Sequence, residues 1–221
     1  EEAAWRVHLL QNWGTVRVAH VEATGGAETP QIGSTLDLRA ERKHRQRWWT
    51  LAILSLSLLI IGLDNTILNV AIPSLIRDLD ASNSEIQWII DAYTLVFGGF
   101  LLLGGRMADL LGRRRLFMFG LVLFSLASLL GGLSQTEEQL IAARALQGLG
   151  AALLAPSALS MVTNMFEEGA ERNKALGVWG AVSGSGGAAG VLLGGILTEY
   201  AGWEWVLWVN VPIGVIAAIH A

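Results

Sequence analysis

Apolar residues form long unbroken segments from Trp48 onward, and short stretches rich in charged residues separate them. Five segments are near the ~20 residues that span a ~30 Å hydrocarbon core. They comprise residues 49–72, 86–105, 116–133, 139–161 and 175–197, and a sixth begins near Trp205. Each is predicted to be a helix, because backbone polar groups in lipid must be satisfied within the segment. The pattern predicts an all-α membrane protein: a bundle of about five transmembrane helices plus a truncated sixth.

The first 47 residues lack any long apolar run, and "ATGGAETPQIGS" (residues 23–34) is typical of a flexible linker. We therefore expect residues 1–47 to be a disordered cytoplasmic tail and residues 48–221 to form the transmembrane bundle. A signal peptide is not expected, because its apolar core is absent from the first 47 residues.

Composition agrees with a membrane protein, because 52% of the residues are hydrophobic and only 15% are charged. The chain begins at Glu1, its first methionine is Met107, and it stops within an apolar run, so we expect it to be part of a longer protein. It has no cysteine, which excludes disulfides and thiolate metal sites. We expect no enzyme activity, no cofactor, no metal site and no nucleic-acid partner.

Basic residues indicate the orientation, because they are enriched in cytoplasmic connections. They precede the first segment and occupy the second and fourth connections, whereas the first, third and fifth connections hold Arg77 alone. This alternation places the N-terminus in the cytoplasm. The residues that carry it are Arg39, Arg42, Lys43, Arg45, Arg47, Arg106, Arg113, Arg114, Arg115, Arg172 and Lys174.

Three ionisable residues lie within the predicted spans: Asp64, Asp91 and Arg144. Helical rise places Asp64 roughly 13 Å from the outer end of its segment, and Asp91 and Arg144 roughly 7 Å from theirs. Charges at such depth usually face a cavity or each other, so we expect Arg144 to pair with Asp64 or with Asp91.

Such a pair can be purely structural, and Asp91 can simply lie at the water interface. For Asp64 and Arg144 we favour a function, because ionisable groups in a membrane mark transport pathways and proton relays. A carboxylate binds a proton more readily when a neighbouring Arg moves away, which is what a proton-coupled switch requires.

The fifth segment contains Gly186, Gly190 and Gly194 at four-residue spacing, which favours close approach of another helix. A static packing contact and a sliding surface both remain open, and the pattern supports the static contact at least as well. In the sixth segment, Asn210 and Pro212 can break the helix or mark its outer end.

Five motifs in order resemble the major facilitator superfamily, and most closely its fourteen-helix drug:proton antiporter branch. They are "LDNTILNVAIP" (63–73), "GRMADLLGRRR" (105–115), "LIAARALQGLGAA" (140–152), "GGAAGVLLGG" (186–195) and "GWEWVLWVNVPIG" (202–214). Three positions depart from the family pattern: Val191 replaces the proline of the fifth-helix motif, Leu110 replaces a basic residue, and Glu204 stands where an Arg is usual.

The resemblance implies two six-helix bundles that rock about a central site, of which this chain supplies part of one. It implies a proton-coupling and substrate cavity formed by Asp64, Arg144, Asp91, Asn69 and Gln147. It also implies a cytoplasmic gate formed by Gly105, Asp109, Gly112, Arg113 and Arg114, and a helix-packing motif formed by Gly186, Gly190, Gly194 and Gly195.

The resemblance implies a multidrug efflux transporter of the plasma membrane. Such a transporter would confer antibiotic resistance by exporting drugs or other small, often cationic or amphipathic molecules in exchange for protons. Its partners would be substrate, protons, the bilayer and the missing C-terminal half. A facilitator or symporter of the same fold remains an alternative, because Val191 removes the antiporter proline. A non-transporting membrane fragment that acts through residues 1–47 is a second alternative.

Overall fold

The computed structural model describes residues 30–220 and shows seven helices there. They are α1 (Pro30–Asp78), α2 (Asn83–Leu111), α3 (Arg113–Gly132), α4 (Glu137–Met165), α5 (Ala170–Tyr200), α6 (Glu204–Trp208) and α7 (Asn210–His220). The chain divides into two units, Glu1–His44 and Arg45–Ala221. The packing described below is that of the second unit.

Five of these helices are long and apolar enough to cross a membrane: His44–Asp78 within α1, and most or all of α2 to α5. This confirms the predicted number of spans. The helices extend several residues past the apolar runs, because polar residues beyond the hydrocarbon core continue the helical hydrogen bonding. The third span is the exception, since α3 ends at Gly132 and Leu133 is its C-cap.

Helix α1 begins at Pro30, within the segment that was expected to lack regular structure. Proline is favoured in the first turn of a helix, where its missing N–H has no helical partner to lose. Residues 35–47 are rich in Leu, Arg, Ala, Glu, Lys and Gln, which are good helix formers. Residues 1–29, including most of the predicted linker, lie outside the described residues.

The helical hydrogen bonding of the sixth apolar segment is interrupted at Val209, between α6 and α7, although Val209 keeps helical backbone angles (φ −59°, ψ −26°) and donates to the Trp205 carbonyl. Of the two outcomes expected for Asn210 and Pro212, the structure shows an interruption. Pro212 lies in the first turn of α7, where a residue without an N–H is tolerated.

Local sequence sets the helix ends that position the bundle. Ser82 caps α2 by accepting from the Glu85 N–H, while the Glu85 carboxylate accepts from the Ser82 N–H in return. Gly112 separates α2 from α3 with φ +94°, a left-handed conformation that side chains other than glycine rarely adopt.

Glycines let α4 pack closely between α2 and α3. Gly148 faces the backbone of Tyr93 on α2 so closely that a Cβ would overlap the Tyr93 carbonyl oxygen. Gly150 faces α3, where a Cβ would come within 2.7 Å of the Phe124 nitrogen. Small residues allow such backbone approach between membrane helices. As a result α4 carries its polar side chains into the interior of the bundle.

Buried apolar side chains form two main clusters along the helix axes. One contains Leu51 to Ile61 of α1 and the aromatic rings of Tyr93, Phe117 and Phe124. The other contains Leu63 to Leu75 of α1 together with Trp203 and Leu207. On α1 the two clusters meet between Ile61 and Leu63, immediately before Asp64.

Candidate functional site

Asp64 of α1 and Arg144 of α4 form a buried ion pair. Arg144 Nη1 lies 2.5 Å from Asp64 Oδ2, and the side chains are 2% and 0% exposed, respectively. Breaking a buried pair by removing one partner typically costs about 3–5 kcal/mol, because the other charge is left without compensation. Of the two pairings that the sequence left open for Arg144, the structure shows the one with Asp64.

Two amides complete the environment of the Asp64 carboxylate. Gln147 Nε2 of α4 donates to Asp64 Oδ1 over 2.9 Å, and Asn210 Nδ2 of α7 donates to the same oxygen over 3.0 Å. Both carboxylate oxygens therefore accept hydrogen bonds. Gln147 and Asn210 are both fully buried.

Ser128 of α3 joins the two amides. Its Oγ accepts from Gln147 Nε2 and from Asn210 Nδ2, each over 3.1 Å, and donates to the Leu207 carbonyl over 2.8 Å. A hydroxyl has one hydrogen to donate and two lone pairs to accept with, so the hydrogen-bonding capacity of Ser128 is filled. We call Asp64, Arg144, Gln147, Ser128 and Asn210 the polar network. It joins α1, α3, α4 and α7.

Helix α2 holds the Arg144 guanidinium from another side. Arg144 Nε donates to the Ile89 carbonyl over 3.4 Å, and its Cζ lies 4.4 Å from the centre of the Tyr93 ring. A cation over an aromatic face is attracted by the ring's negative quadrupole. Gln147 Oε1 also accepts from Arg144 Nη1 over 2.8 Å. These contacts fix the guanidinium beside Asp64.

The network is built for an ionised carboxylate. Guanidinium and amide N–H groups donate and cannot accept, so the groups that contact Asp64 all stabilise its negative charge. Proton uptake by Asp64 therefore requires a rearrangement of these donors. Chemically, the site can couple a change of protonation to a movement of the helices that it joins.

The structure brings together three of the five residues predicted for the cavity: Asp64, Arg144 and Gln147. Asn69 lies on an exposed face of α1 and donates to the Asn65 carbonyl instead. Asp91 is half-buried and accepts from Gln87 Nε2 over 3.1 Å, one turn back on α2. Neither residue belongs to the polar network, and their assignment to a substrate cavity stays a prediction.

Sequence reasoning missed Ser128, Asn210 and Tyr93 as members of this site. The predicted site consisted mainly of ionisable groups within the spans, and these three residues are neutral or weakly acidic. A usable signal was present nonetheless, because Ser128 and Asn210 are polar side chains in strongly apolar segments. Buried polar groups need hydrogen-bond partners, so each of these residues could have been used to predict another polar group nearby.

The predicted gate residues lie around the turn between α2 and α3. Arg113 Nη2 and Asp109 Oδ1 form an ion pair over 3.3 Å, with both side chains partly exposed. Gly112 supplies the left-handed turn. A Cβ at Gly105 would make only an ordinary contact, 3.8 Å from Pro156 Cβ, whereas a Cβ at the preceding Gly104 would overlap the Ala152 carbonyl oxygen of α4. Arg114 is exposed.

Three of the four predicted packing glycines of α5 contact α1. A Cβ at Gly186 would lie 2.9 Å from the Leu59 carbonyl oxygen, one at Gly190 would lie 2.8 Å from that of Leu63, and one at Gly194 would lie 3.0 Å from that of Ile67. Gly62 of α1 faces α5 in return, with a Cβ position 2.8 Å from the Ser183 carbonyl oxygen. We call this contact the glycine seam.

Gly195, the fourth predicted packing glycine, lies outside the seam, because a Cβ there would meet no atom within 4 Å. Val191, in the place of the antiporter proline, is 55% exposed and also points away from α1.

No cluster of three His, Asp or Glu side chains able to hold a metal occurs among the described residues.

Comparison with known proteins identifies the family. The model of the Major Facilitator Superfamily matches residues 54–221, which include every member of the polar network. The chain belongs to the major facilitator superfamily. It is therefore a multi-pass membrane protein of a transporter family and not of an enzyme family, as the five motifs predicted.

Relatives of this major facilitator chain include proteins whose names refer to resistance or export. It is 53% identical over 174 residues to the puromycin resistance protein pur8 of Streptomyces alboniger, which covers 79% of the chain and 35% of the relative. It is 50% identical over 156 residues to the cephamycin export protein CmcT of Amycolatopsis lactamdurans, covering 71% and 32%. It is 36% identical over 200 residues to the tetracenomycin C resistance and export protein of Streptomyces glaucescens, covering 90% and 35%.

This major facilitator chain thus spans about a third of the length of the curated relatives that it matches.

Proposed function

We propose that the protein is a secondary active transporter that exports small molecules across the plasma membrane in exchange for protons. The names of the three relatives described above, which refer to resistance or export, support export as the direction of transport. The observation that carries the proposal is the buried Asp64–Arg144 pair at the centre of the polar network.

Asp64 is the proposed proton-binding group. Its carboxylate is fully buried and held by donors from α4 and α7, so a proton on Asp64 weakens contacts between helices that a transporter must move. Arg144 competes with the proton for the same carboxylate. Alternation between the two partners couples proton binding to helix movement.

The inward proton gradient would drive export. Moving one charge across the membrane contributes about 2.3 kcal/mol per 100 mV. The substrates would be drugs or other small, often cationic or amphipathic molecules; the relatives' names include puromycin, cephamycin and tetracenomycin C. Asp91, Asn69 and the exposed face of α1 are proposed to contribute to the substrate cavity.

We also propose a cytoplasmic N-terminus. The basic residues of the α2–α3 turn and of the α4–α5 connection support this orientation. On that side the Asp109–Arg113 pair would form part of a gate that closes the cytoplasmic end. The ion pair is exposed, so its contribution to stability is small, which suits a contact that must open and close.

A chimera tests the proposal. Residues 45–221 replace the matched third of the puromycin resistance protein pur8, and inside-out vesicles are assayed for puromycin uptake driven by an imposed proton gradient. We expect gradient-dependent uptake, and we expect Asp64→Asn to abolish it while the protein still reaches the membrane. Asp78→Asn is the matched control, because it makes the same chemical change at an exposed position of the same helix.

Three results would separate this proposal from its alternatives. If the rate of puromycin uptake does not depend on the proton gradient, the protein is a facilitator. If uptake occurs only with the gradient reversed, it is a symporter. If Asp64→Asn transports at the normal rate with an unchanged dependence on pH, the carboxylate is structural and the proposed mechanism is wrong.

A further inference from the structure

Asn210 holds an unused acceptor inside the polar network. Its Nδ2 donates to Asp64 and to Ser128, so both amide hydrogens are engaged. Its Oδ1 is buried and has no hydrogen-bond partner among the described residues. An unsatisfied buried acceptor is uncommon in folded proteins and needs an explanation.

Protonation of Asp64 creates a need for such an acceptor. A protonated carboxyl donates one hydrogen bond, whereas the present neighbours of Asp64 are the donor groups of Arg144, Gln147 and Asn210. The charged and titratable side chains near Asp64 on the packed helices are Arg144 of α4 and Tyr93 of α2, and Tyr93 faces Arg144 with its ring. In the arrangement described, the acidic hydrogen therefore meets other donors.

The other neutral acceptors of the network already accept hydrogen bonds, although Gln147 Oε1 keeps a second lone pair. Gln147 Oε1 accepts from Arg144, and Ser128 Oγ accepts from both amides. Asn210 Oδ1 is free, and a half turn of the Asn210 amide about its Cβ–Cγ bond exchanges Nδ2 for Oδ1 at the position that faces Asp64. While Asp64 is ionised, that turn is unfavourable because it places two oxygens against each other.

We propose that Asn210 is a positioning residue that responds to the protonation of Asp64: it donates to the ionised carboxylate, and its amide turns to accept from the protonated carboxyl. The inference rests on the proposed function in so far as Asp64 is the group that takes up the proton. It assigns Asn210 a specific part in that step.

The turn transmits protonation to α3 and α7. When Asn210 Nδ2 leaves, Ser128 Oγ loses one of its two donors and gains Asn210 Oδ1 as an acceptor nearby. The Ser128 hydroxyl can then leave the Leu207 carbonyl, which lies next to the interruption between α6 and α7. Proton uptake by Asp64 on α1 thereby weakens the hydrogen bond between Ser128 of α3 and the Leu207 carbonyl of α6.

Nuclear magnetic resonance on the chain in lipid nanodiscs tests the proposal without any transport step. Side-chain carbonyl carbons of Asp, Asn and Gln are labelled with ¹³C, and resonances are assigned by their loss in Asp64→Asn, Asn210→Leu and Gln147→Leu. On acidification we expect the Asn210 carbon to move downfield, as a carbonyl that gains a hydrogen bond does, with the same midpoint as Asp64. In Asp64→Asn this titration of Asn210 should vanish.

The midpoints of the Asp64 titration in two variants give an independent measurement. Gln147→Leu removes a donor from the ionised state, so we expect the proton affinity of Asp64 to rise about tenfold or more. Asn210→Leu removes a hydrogen-bond partner from both the ionised and the protonated state of Asp64. We therefore expect the proton affinity of Asp64 to rise less than in Gln147→Leu. Asn164→Leu is the control, because Asn164 is exposed on α4 and bonds only within its own helix.

An Asn210 carbon that stays constant while Asp64 titrates would overturn the proposal, and so would an Asp64 that remains ionised at every pH at which the chain is folded. If the proton affinity of Asp64 rises as much in Asn210→Leu as in Gln147→Leu, Asn210 acts only as a hydrogen-bond donor to the ionised carboxylate. Loss of proton coupling in the chimera leaves these spectra unaffected, so failure of the proposed function is distinguishable from failure of this inference.

Discussion

Gly190→Ala tests the glycine seam between α1 and α5. A Cβ at Gly190 would overlap Thr66 Oγ1 and would lie 2.8 Å from the Leu63 carbonyl oxygen. Ordinary contact begins near 3.4 Å. The Thr66 hydroxyl can rotate away, but the Leu63 carbonyl is backbone, so the two helices would have to separate by roughly half an ångström.

The expected loss follows from a comparison within α5. Replacing glycine by alanine in a helix is favourable by about 0.5–1 kcal/mol where space permits. Gly195→Ala gains this stabilisation, because a Cβ there meets nothing within 4 Å. Gly190→Ala gains it too but adds the clash, and overpacking typically costs about 1–3 kcal/mol. The helix contribution cancels between the two variants, so Gly190→Ala should be about 1–3 kcal/mol less stable than Gly195→Ala.

Unfolding of the chain in mixed micelles by denaturing detergent, followed by circular dichroism, measures this difference. The unchanged chain and Gly195→Ala provide the reference and the matched control. If Gly190→Ala and Gly195→Ala unfold at the same detergent fraction, the close approach of α1 and α5 does not determine the packing of the bundle, and our reasoning about the seam is refuted.

Three further predictions concern orientation, charge and completeness. Because the chain has no cysteine, Thr136→Cys should be labelled by an impermeant reagent in intact cells and Arg113→Cys should not, and the reverse pattern would contradict the proposed orientation. Arg144→Ala should abolish proton-coupled uptake by the chimera, and Arg144→Lys should restore part of it, since Lys keeps the charge but loses the planar guanidinium. Equal uptake by the unchanged chimera and both variants would show that the charge is dispensable. Residues 1–221 alone should insert into liposomes yet move no fluorescent cationic dye along a proton gradient, because a central site needs walls from both bundles; dye movement that disappears in Asp64→Asn would show that this chain suffices.

The sequence predicted the spans because the bilayer imposes one requirement on all of them. A segment of about 20 apolar residues has no alternative to a helix in lipid, so five helices could be counted without any knowledge of their packing. The interruption at Val209 was harder to place. Asn210 and Pro212 marked the place in the sequence, and Pro212 has no N–H to donate to the carbonyl one turn back, but apolar residues continue on both sides.

The site was predicted in part, because depth in the membrane is a one-dimensional quantity. Counting residues placed Asp64, Asp91 and Arg144 in the outer half of the membrane but gave no direction around each helix axis. With 3.6 residues per turn, Asn69 lies roughly 140° around α1 from Asp64, so it cannot face the same partners. The direction in which Asp91 points is likewise set by tertiary packing, which a single sequence does not record.

The glycine seam also restricts how this chain can vary over evolution. Glycine has no smaller replacement, so every substitution at Gly186 or Gly190 adds atoms where the backbone of α1 already lies. Every substitution at these positions therefore creates a steric clash, and no compensating substitution on α1 can remove a main-chain carbonyl. Substitutions in descendants of this protein should therefore accumulate at exposed positions such as Asn69, while the residues that form the contact between α1 and α5 stay unchanged.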